Sequence, residues 1–132
     1  MNASQVQHFG TRYAAAWCSQ SAASVAAFYE ENGSLQINSG VPSIGRSAIA
    51  AAAQSFMTAF PNMVVSMDEV SVDGEYVIFR WTLEGANTGP GGTGNSIRIS
   101  GHEEWTFGKN ELIAESKGHF DEADYQSQLN SR

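Results

Sequence analysis

The sequence predicts a single α+β domain in which three N-terminal helices lie on the concave face of a curved antiparallel sheet. Three observations carry this expectation. A chain of 132 residues suits one hydrophobic core. Up to residue 60 the apolar residues recur at three- and four-residue steps, the period of helices. After residue 63 they alternate or fall in β-branched and aromatic runs, the habit of strands. Helices first and a strand meander second is an α+β order, with a cavity where helices and sheet diverge.

Val6, Phe9, Tyr13 and Trp17 form one stripe of a helix over 4–17, and Ser4 with Gln7 has the spacing of a capping box. Ser21 caps a second, short helix that buries Ala22, Val25, Phe28 and Tyr29. Asn32-Gly33 reads as a turn into a short strand, 34–38, where Leu35 and Ile37 alternate with polar neighbours. Pro42 and Gly45 mark a loop before a third helix, 46–59. Its apolar face holds Ile49, Ala52, Ala53, Phe56 and Phe60, and Pro61 stops it. Four strands follow, at 63–72, 75–84, 97–107 and 111–120. Asp73-Gly74 joins the first two as the strongest hairpin signal, and Gly108-Lys109-Asn110 makes the last tight turn. Asp121 caps a closing helix that runs to Leu129. The stretch Gly85–Ser96 carries five glycines and Pro90, but it joins two strands and opens no helix. It therefore reads as a flexible hairpin or pocket-lip loop, not a phosphate cradle.

Composition narrows the function classes. Fourteen acidic residues against seven basic ones give a net charge of −7, and no Lys/Arg run interrupts that balance. A nucleic-acid or anionic-membrane partner is therefore not expected. Cys18 is the only cysteine, so no intrachain disulfide can form, and beside Trp17 it reads as a small buried hydrophobe. The N-terminus lacks the basic start and apolar core of a signal peptide, and no apolar stretch approaches the ~20 residues that span a bilayer. A soluble, cytoplasmic protein is expected. No cofactor is called for, and no His/Cys/Asp/Glu spacing suggests a metal; in His102-Glu103-Glu104 neighbouring side chains alternate between faces.

In the second half the residues carry a family resemblance. Arg80-Trp81-Thr82, then Gly85-Ala86-Asn87-Thr88-Gly89-Pro90, Gly101, and Leu112-Ile113-Ala114-Glu115 leading to Phe120-Asp121 form one part of it. Phe28-Tyr29, Gly45-Arg46-Ser47-Ala48-Ile49 and Ala59-Phe60-Pro61-Asn62 form the other, in order and spacing. Together they resemble SnoaL-like polyketide cyclases of the nuclear transport factor 2-like superfamily, over nearly the whole chain. That resemblance implies a cone-shaped fold around one small-molecule pocket. It also implies a catalytic aspartate three residues before the Phe-Asp end of the last strand, where this chain has Gly118, and a histidine in many relatives where it has Asn87.

Strand 97–107 has one face of Ile97, Ile99, Gly101, Glu103, Trp105 and Phe107, and another of Arg98, Ser100, His102, Glu104 and Thr106. Alternation alone sends the polar set to water. The family register, which places Gly118 on the concave side, points the other way. It implies His102 and Glu104 in the pocket as an imidazole–carboxylate pair for acid–base work. Tyr13, Trp17, Tyr29, Phe56, Arg80 and Gly118 are the candidate ligand contacts, with Glu84 or Glu104 as the alternative partner for Arg80. His8 and His119 are expected to face solvent. Val77, Phe79, Trp81 and Leu83, with Trp105 and Phe107, would then form an outer apolar patch and a sheet-to-sheet homodimer. The expected activity is proton transfer on a small, mostly apolar metabolite bearing a carbonyl or hydroxyl. The competing expectations are a non-catalytic ligand-binding domain and a purely structural dimerisation module.

Overall fold

The first helical stripe is the lid of the structure, and its start illustrates how a helix chooses its cap. The computed structural model describes residues 1–131. Helix α1 (Ala3–Cys18) is capped by Asn2, two residues before the Ser4 of the Ser4/Gln7 box expected for it. Asn2 and Gln5 have the same three-residue spacing, and each side chain accepts the other's backbone N–H at 2.8 Å. Helix α2 (Ala22–Ala26) starts at its Ser21 cap, as expected.

Strand β1 (Tyr29–Ile37) begins earlier than read, because Asn32-Gly33 lies within an irregular stretch of the strand, not in a turn before it. A two-residue strand β2 (Ser43–Ile44), hidden by Pro42, pairs with it. Helix α3 (Arg46–Ala59) and strands β3 (Val64–Asp73), β4 (Tyr76–Ala86), β5 (Ser96–Phe107) and β6 (Ile113–Phe120) follow the sequence pattern closely. Helix α4 (Glu122–Leu129) starts where Asp121 accepts the Asp124 N–H at 3.0 Å.

The six strands form one sheet in the order β2-β1-β6-β5-β4-β3. The β3–β6 meander is antiparallel, as expected, but β1 runs parallel to β6. No hairpin joins those two strands, so nothing forces opposite directions upon them. Helices α1 and α3 pack over β3, β4 and β1, with α2 between them.

Pairing sets the faces. Val77, Phe79, Trp81, Leu83, Ile97, Ile99 and Trp105 point under the helices and are buried. The patch expected on the outer face, and the ground it gave for an apolar sheet-to-sheet contact, is therefore core. Tyr13 meets Trp105 edge-on at 5.0 Å, and Phe79 stacks on Trp105 at 4.9 Å. Such aromatic pairs add roughly 0.5–1.5 kcal/mol each beyond burial. The outer face carries Arg80, Arg98, His102, Glu104, Lys117 and His119, each on the other parity of its strand.

Two polar ties complete the frame. Cys18 is half-buried, and its thiol bridges α1 to β3, donating to the Val65 carbonyl at 3.3 Å and accepting the Val65 N–H at 3.2 Å. The glycine-rich loop is organised around Asn87, whose amide donates to the Ala59 carbonyl at 3.1 Å and accepts the Thr93 N–H at 2.8 Å. Among the described residues, no helix is long and apolar enough to cross a membrane.

Gly101 is where the sheet tolerates no side chain. A Cβ there would stand 2.2 Å from the His119 carbonyl oxygen and 2.7 Å from Trp81 Cζ2. Gly101→Ala should therefore lower stability by about 1–3 kcal/mol, the usual cost of overpacking. Urea unfolding at unchanged m-value measures it.

Candidate functional site

Where the C-terminal end of α1 and helix α3 rise from the sheet, a cavity of about 60 Å³ remains. Five aromatic side chains line it: Trp17, Phe56, Phe79, Trp81 and Phe120. Leu35, Ile37, Val65, Leu83 and Ile99 complete its apolar wall, Gly118 leaves a gap in it, and Glu103 is its one charged residue.

Glu103 is 7% exposed and lies in the middle of the inward stripe of β5. A carboxylate so placed must be hydrogen-bonded to be tolerated. Three donors meet its Oε1: the Tyr13 hydroxyl at 2.9 Å, Trp105 Nε1 at 2.9 Å and the Ser116 hydroxyl at 2.7 Å. The Tyr29 hydroxyl supports this group from behind, 2.7 Å from that of Tyr13. The other carboxylate oxygen takes no hydrogen bond from the described residues. Burial raises the Glu103 pKa above the ordinary carboxyl value, and the donors only partly offset that rise. Tyr13 and Tyr29 are pushed well above the usual phenol value, chiefly by burial and then by the Glu103 charge. They therefore remain protonated donors across the working pH range.

The indole N–H groups of Trp17 and Trp81 are buried and make no hydrogen bond. That of Trp17 stands close enough to the Tyr13 hydroxyl to oppose slightly the rise of its pKa. Buried donors without partners are uncommon, and two among the residues lining one cavity is a feature in need of a cause.

Of the residues expected at a site, Trp17, Phe56 and Gly118 line the cavity. Tyr13 and Tyr29 are fully buried and hold Glu103 instead of touching the cavity. His102 and Glu104 lie on the opposite face, because β5 pairs Glu103 with Gly118 and pairs His102 with His119. The one-residue shift in parity that the family register implied is thus corrected, and plain alternation reads the strand properly. Arg80 is also on the outer face, 3.9 Å from Glu69, and not in the cavity; Glu84 pairs with Arg98 at 2.9 Å. His119 faces outward as expected, with its Nε2 2.8 Å from Glu104 Oε1. Burial, and next the neighbouring His119, lowers the His102 pKa, against the pull of Glu104.

The residue that sequence reasoning passed over is Glu103. Its signal is a single carboxylate in a stripe otherwise made of Ile97, Ile99, Gly101, Trp105 and Phe107. Gly118 faces it directly across β6. A Cβ on Gly118 would meet Gln36 O at 3.5 Å and Glu103 Cγ at 3.7 Å, so there is room for a side chain.

The family model for SnoaL-like polyketide cyclases matches residues 7–129. No curated protein matches the chain in sequence. Among solved structures, TsrD from Streptomyces laurentii is similar at 16% identity and TM-score 0.83, covering 100% of this chain and 99% of that one. A Burkholderia pseudomallei protein described as nuclear transport factor 2-like shares 17% identity at TM-score 0.80, covering 99% and 100%. A protein with a ketosteroid isomerase-like fold from Catenulispora acidiphila, in complex with trimethylamine, shares 16% identity at TM-score 0.79, covering 92% and 91%.

The raised Glu103 pKa makes stability depend on pH in a definite direction. The folded state holds this proton more tightly than the unfolded chain does. Its contribution is therefore full below the ordinary carboxyl pKa and is lost as pH rises through the raised folded value. Glu103→Gln, which cannot ionise, should lack that decline. Paired thermal melts across the acidic to neutral range should show wild type losing ground to the variant as pH rises.

Proposed function

The chain belongs to the SnoaL-like polyketide cyclase family, and we propose that Glu103 is the group through which it moves a proton on a small, mostly apolar molecule bearing a carbonyl or hydroxyl. The observation that carries this reading is a buried carboxylate with one oxygen saturated and the other free, in an otherwise apolar cavity.

With Oε1 committed to its three donors, the second oxygen is the one that takes a proton from carbon beside a carbonyl. Negative charge then develops on the substrate oxygen. The unpartnered N–H groups of Trp17 and Trp81 are the available donors for it, aided by the low dielectric of the aromatic wall. The raised Glu103 pKa makes the protonated form a competent acid as well. Returning the proton to another carbon gives isomerisation, and returning it to a departing hydroxyl gives dehydration. If the carbanion attacks a second carbonyl, a ring closes. The volume bounds the substrate: an apolar cavity of about 150 Å³ holds benzene, and this one is about 60 Å³. The substrate therefore enters by one end, or the half-buried rings of Phe56 and Phe120 move aside to admit it.

A second reading has its own observation. Five aromatic rings and one carboxylate, with no basic residue in the lining, also suit a small alkylammonium ion held without chemistry. The trimethylamine of the Catenulispora acidiphila protein is a ligand of that kind.

Deuterium uptake separates the two. In D2O, wild type should exchange the protons beside the carbonyl in a panel of small cyclic ketones, followed by NMR. Glu103→Gln should reduce that exchange by about 10²–10⁴-fold. For the basic step, the rate should rise with pH through the raised Glu103 pKa. No exchange, with saturable trimethylammonium binding that Glu103→Gln abolishes, favours the binding reading and rejects catalysis. Gly118→Asp adds a second carboxylate beside the first and should move the rising limb of the pH profile upward.

A further inference from the structure

We propose that His102, Glu104 and His119 form a binding site for a divalent transition-metal ion on the outer face of the sheet. This site is independent of the cavity and of Glu103. His102 and His119 are directly opposite on β5 and β6, and Glu104 is two residues along β5, on the same face. Glu104 Oε1 is 2.8 Å from His119 Nε2 and 4.0 Å from His102 Nε2. One ligand atom from each of the three residues lies within 4.8 Å of the others. The two imidazoles stack with centroids 4.8 Å apart and planes 28° apart.

Ligand atoms bound at about 2.0–2.1 Å to a tetrahedral ion stand roughly 3.4 Å from one another. The observed separations straddle that value, so modest side-chain rotations close the site while the strand ladder stays in place. Two imidazole nitrogens and one carboxylate oxygen suit Zn²⁺, Co²⁺, Ni²⁺ or Cu²⁺, and not Mg²⁺ or Ca²⁺, which prefer all-oxygen shells. The three residues are about one-third to nearly one-half exposed, which leaves open positions for water. Two cations stand nearby and limit affinity: Arg80 is opposite His102 on β4, and Lys117 is opposite Glu104 on β6. Each has a carboxylate of its own, Glu69 at 3.9 Å for Arg80 and Glu115 at 3.8 Å for Lys117. The bound ion would clasp β5 to β6 at the rungs on both sides of Glu103–Gly118. Contiguous spacing in the sequence does not reveal such a site, because one ligand comes from the next strand.

The test uses protein stripped with EDTA and titrated with Zn²⁺ by calorimetry, with Mg²⁺ as control and Co²⁺ followed by its visible bands. Expected are one saturable Zn²⁺ site per chain, Co²⁺ bands that Zn²⁺ displaces, and no response to Mg²⁺. His119→Ala and Glu104→Gln should each weaken Zn²⁺ binding by at least about tenfold, since each removes a ligand where loss of a supporting contact alone costs 10–100-fold. Substoichiometric Cu²⁺ gives a readout on wild type that depends on no variant folding. It should broaden the ring signals of His102 and His119 and spare His8. Absence of saturable Zn²⁺ binding, or broadening that follows His8 instead of the pair, overturns the proposal.

Discussion

A carboxylate under the helices is the constraint around which this protein is arranged. Glu103 draws its donors from α1, β5 and β6, through Tyr13, Trp105 and Ser116, and Tyr29 at the start of β1 stands behind Tyr13. Left without them, a buried charge of this kind would cost several kcal/mol. These three donors and the tyrosine behind them are therefore obliged to be where they are, and the aromatic cluster of Phe9, Phe28, Phe79 and Trp105 packs around that obligation. All three hydrogen bonds fall on one carboxylate oxygen, which keeps the side chain in place.

Gly118 and Glu103 show how two neighbouring strands face one volume of the cavity. The two positions are direct partners across β5 and β6. A carboxyl from either strand reaches the same volume, because neighbouring side chains on one face stand about 5 Å apart. Substituting glycine at one and glutamate at the other is close to a translation of the charged group across the ladder. A longer side chain compensates for the step, and the donors fix where its end comes to rest.

Most of the fold was legible because it rests on period and punctuation. The stripe Val6-Phe9-Tyr13-Trp17, the Ser21 and Asp121 caps and the Asp73-Gly74 hairpin are local signals with local causes. The parallel joining of β1 to β6 was not legible, since it depends on residues some eighty positions apart. The site divides in the same way. Trp17, Phe56 and Gly118 could be found from helix faces and strand parity, and parity alone also put His102 and Glu104 outside. Glu103 was missed because a borrowed register overrode the simpler pattern. The bonding that lets it be buried was in any case invisible without Tyr13 and Ser116, which approach from elements far away in sequence. The grouping of His102, Glu104 and His119 was hidden for the same reason.

The strand order has a consequence for how the chain comes into being. Strand β6 lies between β1 and β5, so the last of the six strands to be synthesised occupies the middle of the sheet. Until residues 113–120 are available, β1 has only the two residues of β2 to pair with, and the β3–β5 meander ends in an open edge at β5. Both β1 and β5 then present bare ladders of N–H and C=O groups, the kind of edge that recruits other chains. Closure must wait for a long-range contact, which slows folding relative to a chain that completes its sheet in order. During that interval Glu103 lacks the Ser116 donor, and the polar centre of the core is assembled only when the last strand docks.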